Sequence, residues 1–508
     1  MKPSYKLSSI ALQRDVNLAT KPRQVETWLE LLPVSDAVAK ADLLAAYLSS
    51  HDQPDVPSGF RRQLLSLTGP AVEGVLNDLE AEFNEMPLPL SAGQHARVDG
   101  ALRLLSAVSD MNKRLILDYA EYTPRLFGEN PLPGHVSAFL RTARQTLDTC
   151  YVSHRQVPDG LWLDIHQTGS LISEAGLIET ADPGRSGRLL IESYAALLLE
   201  AVADPYHFSR QEHLWIRDMV DRHGRLAKVE RVHSGTRNGV YGIHVDQDKP
   251  PYPLSWQKEL APECDLVLIT TQLVRKLALL LNQMIRQDSD EQAVPLGQHQ
   301  GYKGVLERLK LLWSGSLLRT TARRSHMRQD RGKVLLGFHA VYTYLAGSQG
   351  PGPQAAAISC LLMNESLGGM AVSVEKTTFQ LGVGMLILLG NELEEGYSSL
   401  GLVRWFKTAA DGTLMLGIRF IPGRPRVATI IADDSRHVYP GLLMQVEHGR
   451  QPPVPAQSRL LLPAVRMDAG TGVEVRQDME RFKLRLVERL EGSDDATLFR
   501  CLAGTSVG

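Results

Sequence analysis

The apolar residues of this chain change their period near residue 333, and that change sets what the chain can fold into. Between residues 22 and 313 they recur at helical spacing. VETWLELL, DAVAKADLLAAYLSS and PAVEGVLNDLEAEF each place them at i, i+3, i+4 and i+7, with charges between. Such a stripe lies along one side of a helix and has to be covered, so these segments are amphipathic helices sharing a core. ARVDGALRLLSAVSDMNKRLILDYAEY, GRLLIESYAALLLEAV and TTQLVRKLALLLNQMIRQ continue the pattern, and the Pro- and Gly-bearing breaks EMPLPLSAG and GENPLPG mark where helices stop. One stretch differs: residues 228 to 254, KVERVHSGTRNGVYGIHVDQDKPPYPL, carry an Asn-Gly turn between alternating flanks and read as a small hairpin inserted among helices.

Beyond residue 333 the runs shorten. VLLGFHAVYTYL, AAISCLLM, GMAVSV, GMLILLG, LGLVRWF and TLMLGIRFI are apolar or β-branched and are separated by turn signals such as KTAADGT. They predict an antiparallel domain of about six strands, closed into a barrel. ATIIAD, GLLMQV, SRLLLPAV, GVEVRQD and FKLRLVERL carry the β character to the end of the sequence. The expected fold is multidomain α+β. It comprises a helical N-terminal domain over 1–313, a linker over 314–333, a β-barrel over 334–430, and a β extension or second small barrel over 431–508.

Composition excludes several classes. With 508 residues, 43% of them hydrophobic, the chain can bury more than one core. Fifty-five Lys+Arg against 57 Asp+Glu leave a formal net charge of −2, so a nucleic-acid partner or a polybasic membrane anchor is not expected. No window approaches the roughly 20 apolar residues of a membrane span, and the first residues lack a signal-peptide core, so a cytoplasmic protein is expected. Cys150, Cys264, Cys360 and Cys501 lie far apart without a CxxC pair, which fits reduced thiols.

Against that balanced background stands ARRSHMRQDRGK, residues 322 to 333, which holds Arg323, Arg324, Arg328, Arg331 and Lys333 with one acid, Asp330. So local a cluster calls for a compact anion. After the next strand comes CLLMNESLGGM, where Asn364 and Ser366 supply short hydrogen-bonding side chains and Gly368 and Gly369 are expected to let a turn take φ > 0 close to a ligand. Guanidinium suits such a site in two ways. Its fork meets O6 and N7 of guanine together, and its plane stacks on a purine or bridges phosphate oxygens.

Read as RRxxxR followed by NxSxxG, these residues resemble the PilZ domain family, whose members bind the second messenger cyclic di-GMP. Arg324, Arg328, Asn364, Ser366 and Gly369 match the family's pattern, and the resemblance covers residues 319 to 430. The gap between the half-motifs is longer than usual because GSQGPGPQ extends the first hairpin, and Asn364 stands where Asp is commoner. The resemblance implies a barrel that binds cyclic di-GMP through Arg323, Arg324, Arg328, Asn364, Ser366, Gly368 and Gly369, without a metal or cofactor. The doubled arginine implies capacity for a stacked ligand pair. It further implies a receptor that regulates motility, pili or surface attachment, with the helical domain engaging a protein partner and the arginine segment ordering when the dianion binds.

Enzyme motifs are largely lacking: there is no P-loop or GxGxxG, and neither GGDEF nor EAL, so no catalysis is expected. Two other readings stay open. One is a PilZ-like scaffold without ligand; the other is an enzyme in the helical domain, which a deep pocket with convergent polar groups would favour. His207, His213, His223, His233 and His244 show no HExxH or i, i+4 pair and are expected to be core or surface residues, not metal ligands. Asp246 and Asp248 are expected in a solvated loop, Trp215 and Trp313 in helix interfaces, and Trp405 on a barrel strand.

Overall fold

The computed structural model describes Tyr5 and residues 21–503, except 34–35, 54–55, 84–85, 121–129, 176–189, 232–236, 257–263, 288–295, 316–323, 326–329, 348–356, 375–379, 392–396, 410, 434–436, 446–456, 465–466 and 478–479. The chain divides into two compact units, Met1–Leu318 and Arg319–Gly508.

The first unit is helical: α1 (Pro22–Glu30), α2 (Ala37–Ser50), α3 (Ser58–Phe83), α4 (Ala92–Ala120), α5 (Leu132–Val152), α6 (Leu161–Ala175), α7 (Leu190–Val202), α8 (Arg210–His223), α9 (Thr271–Gln287) and α10 (Leu296–Trp313). Spacing explains what each helix buries. On α5, Val136, Phe139, Leu140, Ala143, Leu147 and Tyr151 fall on one stripe and are all buried. The 29 residues of α4 span about 43 Å and serve two cores. Val98, Leu104 and Met111 pack with the helices before it, and Ile116 packs with those after it. Where α4 meets α6, Lys113 is buried between Asp110 at 2.6 Å and Asp164 at 2.8 Å. A buried ammonium persists only when paired in this way.

The insertion expected as a hairpin over 228–254 is a four-stranded sheet that runs on to residue 269. Its strands β1 (Lys228–Glu230), β2 (Val240–Ile243), β3 (Tyr252–Pro253) and β4 (Leu266–Ile269) lie in the order β1-β4-β2-β3. Strand β4, LVLI, is nearly all buried and separates β1 from β2. Asn238-Gly239 therefore closes no two-strand turn. Gly239 ties the sheet to helix ends instead, its amide donating to the Ser314 carbonyl and its carbonyl accepting from Thr270. Asp248, expected in a solvated loop, is exposed but accepts from the amides of Gly160, Trp162 and Leu163 at the start of α6.

The second unit contains β5 (Arg324–Ser325), β6 (Arg331–Leu336), α11 (Phe338–Leu345), β7 (Ile358–Ser366), β8 (Gly369–Val374), β9 (Leu386–Asn391), β10 (Tyr397–Thr408) and β11 (Leu414–Phe420). Strands β7-β6-β9-β10-β11-β8 form a ring closed by the β7–β8 pairing, with β5 added to β7. A second closed barrel follows, in the order β12-β13-β14-β17-β16-β15. Its strands are β12 (Arg424–Ala432), β13 (Val438–Gln445), β14 (Gln457–Pro463), β15 (Gly472–Gln477), β16 (Glu480–Gly492) and β17 (Ala496–Ala503). The fold is thus α+β, helices followed by two closed antiparallel six-stranded barrels. The division drawn at 430/431 falls inside β12, which starts seven residues earlier at Arg424.

FHAVYTYL, expected as strand, is helix α11. Gly337 at φ 89 breaks β6, and Phe338 and Val341 then turn the same way one helical turn apart into a cluster with Leu442 and Leu461 of the second barrel. That burial overrides the β propensity of Val, Tyr and Thr. Among the described residues no helix is long and apolar enough to cross a membrane.

Candidate ligand-binding face of the first barrel

Strand β7 ends in Asn364-Glu365-Ser366, Leu367-Gly368 make the turn, and β8 starts at Gly369, with Ser366 paired to Gly369. The Ser366 hydroxyl donates to the Gly369 carbonyl at 3.2 Å, and the Phe420 amide donates to the Gly368 carbonyl at 3.0 Å. Neither glycine takes a left-handed φ, contrary to expectation. Gly369 is required for a different reason: a Cβ there would lie 2.1 Å from the Ile418 carbonyl oxygen, so β8 and β11 could not pair with a side chain present. A Cβ on Gly368 would meet nothing within 4 Å. At the tip, Leu367 is 93% exposed.

Strand β5 brings the arginine segment to this hairpin. Arg324 pairs with Glu365 and Ser325 with Asn364, while Arg331, outside the RRxxxR pattern, opens β6 opposite Leu361. Both flanks of residues 326–329 are therefore anchored to β7, with the Leu362 amide donating to the Asp330 carbonyl at 2.9 Å between them. Arg323 and Arg328 lie outside the described residues.

Register extends the face beyond the two half-motifs, because residues directly opposite on neighbouring strands project to the same side. One row runs Asn364, Ala371, Gly417, Trp405, and the next runs Ser366, Gly369, Arg419. Ala371 and Gly417 keep the middle of the first row low. Trp405 lies over Gly417, where a Cβ would come within 2.0 Å of the indole nitrogen. Arg419 forms an ion pair with Glu491 of the second barrel, which also holds Arg404 at 3.0 Å. Burial, aided by the nearby Arg404 and Arg459 cations, pushes Arg419 down to about 10, so it is still a cation at neutral pH. Such a face offers short polar groups, an aromatic plane and guanidinium within adjoining rows. Sequence reasoning left Trp405 and Arg419 off this face. Trp405 reaches the row of Asn364 only through the bulge between Val403 and Trp405, which no local pattern announces.

The remaining candidates serve structure. His213 is buried against Asp148 at 3.5 Å, and His207 pairs with Asp204 at 3.0 Å. His233 lies outside the described residues. His244, Asp246 and Asp265 bring donor atoms within 4.8 Å of one another. Two of these are engaged in the loop, His244 with the Tyr252 hydroxyl at 3.1 Å and Asp265 with the Val245 amide at 2.9 Å. Trp313 is fully buried and donates to the Leu199 carbonyl, and Trp215 meets Tyr302 edge-on.

Comparison with known proteins finds a family match in the other unit. The family described as "Cyclic-di-GMP receptor FimW, N-terminal domain" matches residues 23–234, from α1 to the start of the inserted sheet. A curated protein, "Cyclic-di-GMP receptor FimW" of Pseudomonas aeruginosa, is 25% identical over 344 residues, 64% of this chain and 53% of that protein. The chain thus spans about half the length of the curated relative it matches. The chain is thus similar to proteins described as cyclic di-GMP receptors, with the family match lying in its helical region.

Proposed function

We propose that the chain is a cyclic di-GMP receptor that binds the messenger on the outer face of its first, PilZ-like barrel and does not process it. The observation that carries this reading is the addition of β5 to β7, which sets the backbone of Arg324-Ser325 beside Asn364-Glu365. The described residues of the first half-motif thereby pair with the start of the second, 40 residues on from Arg324 to Asn364. Arg323, Arg324 and Arg328 read guanine and phosphate, Asn364 and Ser366 hydrogen-bond the ligand, Gly368 leaves room at the turn, and Gly369 lets the strands approach. The family match over 23–234 supports the ligand from outside the barrel, and the similarity to a curated protein described as a receptor of this messenger supports it as well.

Binding orders the arginine segment, changes how the two units are arranged, and passes the signal to a protein partner of the helical unit, with an output in motility, pili or surface attachment. Calorimetric titration with cyclic di-GMP, against GMP and cyclic di-AMP as controls, tests the ligand. Saturable binding of cyclic di-GMP is expected, and none at micromolar concentration and moderate salt overturns the reading. Arg324→Ala and Arg328→Ala should each weaken binding on the order of tenfold or more, and Arg331→Ala less. Equal losses from all three would mean diffuse attraction, which salt screens.

A further inference from the structure

The two barrels meet over an apolar cluster that includes Leu388 and Leu402 of the first and Met444, Leu461 and Leu498 of the second. Cations border it from both sides. Arg419 on β11 is the register partner of Leu402, and Arg459 on β14 is the register partner of Met444. Paired residues project to the same side of a sheet, so both guanidinium groups stand at the rim of one cluster. They feel each other: beyond the effect of burial, the Arg404 and Arg459 cations hold Arg419 below the usual arginine range.

The charges at this rim do not balance. Arg404 and Arg419 share the Glu491 carboxylate, and Arg500 on β17 pairs with Glu488 at 2.7 Å. Arg459, half-buried, makes no hydrogen bond or ion pair among the described residues, and register sets it directly opposite Arg500. Like charges in that position repel and destabilise a sheet. Arg476 and Arg481 are also opposed, but both are exposed, and solvent and salt screen them. Four guanidinium groups, of Arg404, Arg419, Arg459 and Arg500, thus meet two carboxylates, of Glu488 and Glu491. The excess of positive charge lies where the Ser366, Gly369, Arg419 row runs into the second barrel.

We propose that the second barrel completes the ligand-binding face, with Arg459 contacting a phosphate of cyclic di-GMP bound along the Ser366, Gly369, Arg419 row. Arg459 has this role only if that face is the messenger's site, as proposed above. A phosphate suits the position on two counts. It accepts charge-assisted hydrogen bonds from the guanidinium, and its negative charge offsets the repulsion between Arg459 and Arg500, which Glu488, paired with Arg500, leaves in place. Of the four arginines, only Arg459 has no carboxylate to leave before it turns to a ligand.

Full-length chain is titrated calorimetrically with cyclic di-GMP, as wild type and as Arg459→Ala, Arg459→Lys and Arg459→Glu, and thermal midpoints are read without ligand. Arg459→Ala should weaken binding about tenfold, the loss of one hydrogen-bonded contact to a charged group. Arg459→Lys should recover most of that loss, because a phosphate can be held by a point charge and does not require the guanidinium fork. Arg459→Glu should abolish binding at micromolar ligand. Without ligand, the midpoints of Arg459→Ala and Arg459→Glu should hold or rise, since the like charge opposite Arg500 is gone. A wild type that binds no cyclic di-GMP would overturn the barrel face itself and this role with it. A wild type that binds, with Arg459→Ala binding equally well, would overturn the role of Arg459 alone. So would Arg459→Lys binding no better than Arg459→Ala, or an equal loss from Arg481→Ala, which would mean diffuse attraction. Ligand-free midpoints lowered along with affinity in both Arg459→Ala and Arg459→Glu would place the residue in folding and overturn it too.

Discussion

Gly369 and Gly368 are neighbours with different obligations. A methyl group on Gly369 has to displace the Ile418 carbonyl, which belongs to the β11 backbone and cannot swing aside. Gly369→Ala should therefore destabilise the second unit by about 1–3 kcal/mol, the range for overpacking, and distort the hairpin that carries Asn364 and Ser366. Gly368→Ala, in open space and without a left-handed φ, should stay within about 0.5 kcal/mol of wild type. Urea denaturation of the two variants checks this contrast, and equal midpoints would contradict the tight β8–β11 approach. The residue types of the face were legible in NESLGG, but the reason for one of its glycines was not. Close approach to Ile418, 49 positions later, is a property of the closed sheet. Trp405 and Arg419 escaped for the same reason, since an aromatic and a cation on strands signify nothing until register places them beside Asn364 and Gly369.

Element boundaries show where local patterning is sufficient. The long helices follow directly from the i, i+3, i+4 stripe, and the connection KTAADGT closes β10 onto β11 as its residues predict, with Gly412 at φ 84. Helix α11 does not follow, because its N-terminus is held by a residue 157 positions away. The Asp495 carboxylate, in the β16–β17 turn of the second barrel, accepts from the Phe338 amide at 2.9 Å and from the Leu386 amide at 2.8 Å. It thus caps α11 and anchors the start of β9 in the first barrel. Asp495→Ala strips both amides of their acceptor and should lower the stability of the two-barrel unit by about 2 kcal/mol, with Asp495→Asn intermediate. Chemical denaturation followed by circular dichroism reads the shift; a change under about 0.5 kcal/mol would mean that the apolar cluster of Phe338, Val341, Leu442 and Leu461 alone holds the barrels together.

For the whole molecule, the proposed coupling between ligand and partner makes a prediction that no single residue carries. Small-angle scattering of the full chain should differ with and without saturating cyclic di-GMP, and profiles that superimpose would sever ligand binding from any change in how the units are arranged. By itself the sequence determined the order of elements: a helical region, an arginine segment, then strands to the end. Periodicity, turn chemistry and the spacing within each half-motif act over a few residues and are written in contiguous letters. Tertiary structure alone decided which strand closes each ring, that β4 separates β1 from β2, that FHAVYTYL is a helix, and that Arg324 comes to lie beside Glu365. These depend on backbone groups and apolar faces finding partners tens of residues away, where many pairings satisfy the same local pattern and only packing selects one.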